Sequence, residues 1–284
     1  MKSYCIKIND QNIIKYISNH LNSIDSKIQY HIREFKHYTN LIIHSTLNDE
    51  DFLEDITNIL TDTIIVFYEN KILMHLINYD YFYFEDTEKE IIFDICKNYL
   101  IESDNKLFTI TEKYSTIWNC IYFYLLDNTR IFLNGIVNFR ISSYIKYLDS
   151  IVDIAVNKFL IDKEYNQFIM LLQAYIDTHH SNTQLVHLIY KKSDSILLDN
   201  NFNIIPISSN LSTAKYLSDI NFCGNDDLLN ALISLLPARI EIHVIDHIDE
   251  FIETIQNIFK SRVNICTDCN ICKTYKLLMN DLTI

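Results

Sequence analysis

A chain of 284 residues, 49% hydrophobic and 21% charged, is long enough to bury a substantial core as one large domain or two smaller packed ones, and its composition excludes extensive disorder. Its 37 acidic against 24 basic side chains leave a formal net charge of -13, which repels phosphate backbones and supports no nucleic-acid partner unless the basic residues cluster. The densest basic set, Lys2, Lys7, Lys15, Lys27, Arg33 and Lys36, is scattered among acids and reads as a solvated face.

The opening residues carry no continuous apolar h-region and no small-residue cleavage site, so secretion by a signal peptide is not supported. No membrane span is expected. Thr63 to Asn78 is interrupted by Glu69 and Lys71, and Ile117 to Leu126 is too short to cross a bilayer. Seven cysteines at uneven spacing, four of them isolated, fit a reducing cytoplasm better than a disulfide framework.

Ser3 to Ile8 alternates loosely and reads as a first strand. A helix follows from about Asp10, with Ile13, Ile14, Ile17 and Leu21 on one side. Lys27 to Phe35 and Asn40 to Ser45 read as two short strands, completing a small αβ entry. Asn48 is placed to cap a helix whose first turn holds Asp49, Glu50 and Asp51, favourable at the positive end of the helix dipole. Its apolar set includes Phe52, Ile56, Ile59 and Leu60, and helical character runs, with room for a break, to Asn78. Asp86 begins another helix with Ile91, Ile92, Ile95 and Tyr99 inward. Leu107 to Leu126 gives an aromatic-rich one whose Trp118, Tyr122 and Phe123 are expected in the core. A ligand cage or base-stacking platform is the functional alternative for those rings, and helix packing the structural one.

The most strongly periodic stretch is Ile131 to Ile176. Ile141, Ile145, Leu148, Val152, Ala155 and Phe159 form one stripe, with Tyr144, Tyr147, Ile151 and Ile154 beside it. Two adjacent apolar rows make this a central helix. Asp162 offers an N-cap, and Tyr165, Phe168, Leu172 and Tyr175 repeat at steps of three and four, so a second helix is expected to fold back as an αα-hairpin.

The character changes after His179-His180. Leu185 to Tyr190, Ser195 to Leu198 and Ile204 to Ser208 read as β segments, the last confined by Pro206 to an edge or an irregular site. Asp226-Asp227 opens a helix ended by Pro237. Arg239 to Ile245 is the cleanest strand, with Ile240, Ile242 and Val244 facing one way and Arg239, Glu241 and His243 the other. Asp249 to Lys260 reads as the final helix. The fold class expected is α+β, a mainly helical body over residues 1–180 followed by a smaller α/β module over 181–284, with a soft boundary and room for a shared core.

Gly135-Ile136-Val137-Asn138-Phe139-Arg140, then Tyr144, Leu148, Asp149, Phe159, Leu160, Lys163-Glu164-Tyr165-Asn166, Phe168-Ile169 and Leu171-Leu172, resembles the middle of the YtxC family of sporulation proteins from endospore-forming bacteria. The likeness continues through Leu185 to Ile189, Asp227 to Ile233 and Ile255 to Cys272. The resemblance implies a role in spore formation, and it implies no reaction, cofactor or catalytic residue; a protein partner is a separate expectation. Asp268 stands where the resemblance leads one to expect a glycine, so no tight cysteine turn is carried over.

Two glycines, Gly135 and Gly224, exclude the common phosphate-cradling loops. There is no Gly-x-Ser-x-Gly elbow and no His-Glu-x-x-His helix. One constellation has chemical content: Cys266-Thr267-Asp268-Cys269-Asn270-Ile271-Cys272. Two overlapping C-x-x-C spacings let thiolates converge on one ion, with the fourth ligand left among Cys223, His243, His247 and Asp268. Zinc, an iron-sulfur cluster, a redox pair and thiols without special function all remain open. His243 and His247, on a strand and near the next helix start, each read as a lone surface histidine. His179 and His180 are expected to meet helix-terminal carbonyls. The acid pairs Glu50-Asp51, Glu54-Asp55 and Asp226-Asp227 read as dipole partners, and an unrecognised hydrolase using them is the remaining alternative. Arg140 and Glu164 read as a polar network at the core edge, with a buried ion pair or a partner contact as the alternatives. The expectation is a cytoplasmic protein acting through protein contacts rather than as an enzyme, its rival a cysteine-based metal or redox protein.

Overall fold

The computed structural model describes residues 2–24, 28–46, 49–101, 110–191, 195–206 and 224–280. It is an α+β protein, and the chain divides into two compact units, Met1–Asp162 and Lys163–Ile284.

In the first unit the order is β1 (Lys2–Ile8), α1 (Gln11–Ile24), β2 (Ile28–Glu34), β3 (Thr39–Ser45), α2 (Asp49–Asp80), α3 (Asp86–Ile101), α4 (Ile110–Asp127), β4 (Arg130–Phe132), α5 (Leu133–Phe139) and the start of α6 (Ser142–Thr178). The strands form one sheet in the order β2-β3-β1-β4, antiparallel except for the parallel β1–β4 pair. Strand alternation puts Tyr4, Ile6 and Ile8 of β1 and Leu41 and Ile43 of β3 on one face, all fully buried or nearly so. They join one core with Ile13, Ile14, Ile17 and Leu21 of α1, Phe52, Ile56, Ile59 and Leu60 of α2 and the α6 stripe. Of that stripe Leu148, Ile151, Val152 and Ala155 are completely buried. Buried hydroxyls on α2 are satisfied within the helix: Thr57, Thr61 and Thr63 each donate to the carbonyl four residues back.

Several expectations are corrected here. The αα-hairpin does not form, because α6 runs unbroken through Asp162 to Thr178. Asp162 is followed by Lys163, Glu164, Tyr165, Asn166 and Gln167, none of which breaks a helix, and residues 161–168 are all exposed, so no apolar face demands a turn. The short strand β4 and helix α5 were not legible in the pattern. On α4 the core positions are Ile117, Ile121 and Leu125; Phe123 is 63% exposed, while Trp118 and Tyr122 stack half-buried with ring centroids 4.6 Å apart. On α3 Cys96 is buried and Ile91 faces outward. Arg140 and Glu164 are exposed, so neither belongs to a buried ion pair. The Asn48 cap lies outside the described residues.

The second unit takes the remainder of α6, then β5 (Thr183–Tyr190), β6 (Ile196–Leu198), β7 (Ile204–Ile205), α7 (Gly224–Leu235), β8 (Pro237–Val244), α8 (Glu250–Phe259), a 3-10 turn at Lys260–Arg262, β9 (Val263–Cys266) and α9 (Asn270–Asn280). Asp249 caps α8 through its carboxylate, which accepts from the amides of Phe251 and Ile252. The sheet order is β7-β6-β5-β8-β9, with β5, β8 and β9 parallel and β7 an edge strand before Pro206. Parallel strands are covered on both faces. One face carries Val186, Leu188, Ile240, Ile242 and Val244 against α7, α8 and Ile169 and Ile176 of α6. The other carries Ile189, Leu198 and Ile245 against Ile271 and Tyr275 of α9. The helix α8 is therefore not the last one. Among the described residues no helix is long and apolar enough to cross a membrane.

One polar group sits inside the helical layer of the first unit. Glu69 of α2 pairs with Lys113 of α4 at 2.5 Å, both nearly buried, and accepts a hydrogen bond from Tyr144 of α6, whose phenol is pushed far up by burial and by the Glu69 charge. Glu69→Leu is expected to lower stability by about 3–5 kcal/mol in urea unfolding, because it strands the Lys113 ammonium. Adding Lys113→Met and Tyr144→Phe should recover most of that loss; a single substitution that costs nothing would contradict this.

Candidate metal centre

The parallel register of β8 and β9 sets His243 directly across from Cys266. Cys266 is the last residue of β9, so both donors lie toward the carboxyl ends of neighbouring parallel strands, a common place for ligands in such sheets. The chain then turns through Thr267 and Asp268 to Cys269 and enters α9, where Cys272 is the third residue. The first turn of that helix is tied back to the loop: the Cys272 amide donates to Cys269 Sγ at 3.5 Å and the Lys273 amide to the Cys269 carbonyl at 3.0 Å. Lys276 Nζ closes the loop from outside by donating to the Thr267 carbonyl at 2.9 Å. The apolar side of α9, Ile271 and Tyr275, rests on the sheet and fixes the approach.

Four donor atoms converge as a result. Sγ of Cys269 and Cys272 are 3.6 Å apart, and those of Cys272 and Cys266 are 3.9 Å apart. His243 Nδ1 lies 3.3 Å from Cys269 Sγ and 3.7 Å from Cys272 Sγ. All four lie within 4.8 Å of one another. A tetrahedral ion with zinc–sulfur bonds of about 2.3 Å and a zinc–nitrogen bond of about 2.0 Å requires sulfur–sulfur edges of roughly 3.8 Å and sulfur–nitrogen edges of roughly 3.5 Å. These four edges bracket those values, and the remaining two, from Cys266 to Cys269 and to His243, are within 4.8 Å. A disulfide needs its sulfurs at about 2 Å. A cluster holds its thiolates apart by its own width, so sulfurs this close suit a single ion.

The electrostatics favour the ligating form at His243 and Cys269 and oppose it at Cys272. Burial, reinforced by the neighbouring His187 and partly offset by Glu241, lowers the His243 pKa and favours the neutral ring a metal needs. At Cys269 burial opposes ionisation but is outweighed by hydrogen bonds from the Cys272 amide, the Cys266 and Cys272 thiols and the Ile271 amide, so its pKa falls. Cys272, fully buried, is pushed the other way, first by desolvation. The far nitrogen of His243, Nε2, is 3.1 Å from Nδ1 of His187 on β5. Glu241 completes a second grouping with these two histidines, although its carboxylate is already paired with Arg239 at 2.7 Å.

Of the fourth-ligand candidates, the structure brings His243 to the three cysteines. His243 is 2% exposed, which overturns its reading as a surface histidine; α9 packs on the face of the sheet that carries it. His247 is exposed, as expected. Asp268 is exposed beside Lys273 at 3.6 Å, and Cys223 lies outside the described residues. His179 contacts the Tyr175 carbonyl at 2.8 Å near the end of α6. The acids Glu50, Asp51, Asp226 and Asp227 occupy first helical turns. His187 was missed, and its signal was the alternation of β5, which places it on the same face as Ile189.

A family model described as the YtxC-like family matches residues 54–264. An uncharacterised protein of Bacillus subtilis (strain 168), named YtxC, is 24% identical over 142 residues, 49% of this chain and 50% of the relative. The chain thus spans about half the length of the curated relative it matches. No solved structure matches.

In reduced, metal-free protein at neutral pH, brief treatment with iodoacetamide should label Cys269 before Cys272. Cys96, whose thiol burial pushes up to about 12, should stay unlabelled until the protein unfolds. Peptide mass analysis showing Cys272 or Cys96 modified first would contradict the assigned environments.

Proposed function

The chain belongs to the YtxC-like family, and on that premise we propose that it is a thiolate metal protein. In this reading Cys266, Cys269, Cys272 and His243 hold one tetrahedral ion, zinc in the first instance. The observation that carries it is the match of the donor–donor distances to the edges of a single-ion tetrahedron. Four protein ligands leave no open coordination position, which favours a structural ion over a catalytic one. The ion would then pin α9 and the 267–269 turn to the carboxyl ends of β8 and β9, adding metal-binding free energy to the folding of the unit.

The setting we propose is the cytoplasm of a sporulating cell, where the protein acts through a protein partner. The resemblance of residues 135–172 to sporulation proteins supports that setting, and a reducing compartment suits thiolates that must stay unpaired. The partner is sought by pull-down from sporulating cells, with vegetative cells as the control; the same bound set from both would count against this setting.

Protein purified without oxidation should contain one equivalent of zinc by elemental analysis. Cys269→Ser or His243→Ala should lower that content by at least half and raise hydrogen exchange across 270–280. The ion should also be released as the pH falls, since protons compete for the thiolates and for the His243 ring. Zinc-free wild-type protein that takes up no metal when reduced and supplied with zinc, or a zinc content unchanged in both variants, would overturn the assignment.

A further inference from the structure

We infer that His187 is a positioning residue for the metal, accepting a hydrogen bond from His243 so that the Nδ1 lone pair of His243 stays on the ion, and that the turn carrying Phe202 holds His187 in place. This rests on the reading of Cys266, Cys269, Cys272 and His243 as ligands.

A neutral imidazole carries one proton on two nitrogens. His243 Nε2 and His187 Nδ1 face each other at 3.1 Å, so one ring must donate to the other. When His243 donates from Nε2, its Nδ1 is bare and faces Cys269 and Cys272. The opposite tautomer sets a proton on Nδ1 among the sulfurs and blocks coordination. His187 therefore selects the ligating tautomer, provided that its own proton sits on Nε2. Histidine ligands are commonly oriented by such an acceptor on the far nitrogen. Here the acceptor is itself a histidine and is 7% exposed, so its orientation has to be supplied by neighbours.

That orientation comes from the β6–β7 connection. The Phe202 ring stacks on His187 with centroids 4.7 Å apart and planes 27° apart, and the His187 and His243 rings are themselves nearly parallel at 19°. Phe202 has φ of 62°, a left-handed conformation that glycine and asparagine adopt more readily than an aromatic residue. Asparagine was available at 200, 201 and 203, yet the strained position holds phenylalanine. Asp199 stabilises the turn: its carboxylate accepts from the amides of Asn201 and Asn203, each at 2.8 Å, and from the Asn203 side chain at 3.0 Å. The Phe202 amide donates to the Asp199 carbonyl at 3.0 Å. Backbone strain held in this way, beside a candidate site, fits a ring that is needed where it lands.

The test compares wild type, His187→Phe, His187→Gln and Phe202→Asn. Zinc affinity is read by competition with a chromophoric chelator, and the ligand set by the visible spectrum of the cobalt-substituted protein. His187→Phe should weaken zinc binding by about 10- to 100-fold and shift the cobalt bands. His187→Gln, whose amide oxygen accepts the same bond, should restore most of the affinity. Phe202→Asn relieves the backbone but removes the ring, so it should weaken zinc without lowering the melting temperature of the metal-free protein. Wild-type affinity and spectrum in His187→Phe would overturn the inference. Should that variant fold poorly, wild-type affinity in Phe202→Asn would overturn it instead. Failure of the underlying reading looks different, because wild-type protein would then bind neither zinc nor cobalt.

Discussion

The C-terminal unit depends on the parallel pairing of β8 with β9. That register sets His243 beside Cys266, and everything at the site follows from it. A slip of β9 by one residue would turn Cys266 to the opposite face of the sheet, away from His243 and into the layer occupied by α7 and α8. The pairing is held by burial on that opposite face, where Ile240, Ile242 and Val244 are almost inaccessible and join Ile252, Ile255 and Ile258 of α8 in one core. The apolar side of the sheet thus dictates which residues its polar side presents. The short return from Cys266 into α9 then leaves Cys269 and Cys272 little choice but to meet the same point.

The first unit solves a different problem. Its helices α2, α4 and α6 carry wide apolar faces, and their shared layer includes the Glu69, Lys113 and Tyr144 group. Buried charge of this kind adds little net stability, but it penalises any packing in which one member loses its partners. The elements around it are joined by loops with almost no glycine or proline, since the chain has two of each. Helix ends are therefore set by side chains and by strand pairing more than by backbone breakers. The continuous α6 shows the consequence: with no residue to stop it, the helix runs on through the exposed residues 161–168.

Much of the architecture was legible from periodicity. The α1, α2 and α6 stripes, the β1 and β8 alternation and the edge position before Pro206 follow from side-chain spacing, which is a local property. What failed depended on contacts distant in sequence. The hairpin at Asp162 was inferred from a cap residue, which is weak when no breaker follows. Strand β4 has three residues and exists because β1 offers it a parallel edge. At the site, the cysteine spacing announced convergent thiolates. Strand alternation correctly put His243 on the face opposite Ile242, but the helix that buries that face was not recognised, so His243 was read as exposed. His187 carried no local signal beyond its place on a strand. Its closeness to His243 arises because β5 and β8, far apart in the chain, pair in parallel.

The central claim is a single ion held by three sulfurs and one imidazole nitrogen. X-ray absorption at the zinc edge of the reduced, metal-loaded protein measures that shell directly. Three sulfur neighbours at about 2.3 Å and one nitrogen at about 2.0–2.1 Å are predicted. A shell dominated by oxygen, or one in which His243→Ala leaves the nitrogen contribution unchanged, would contradict it.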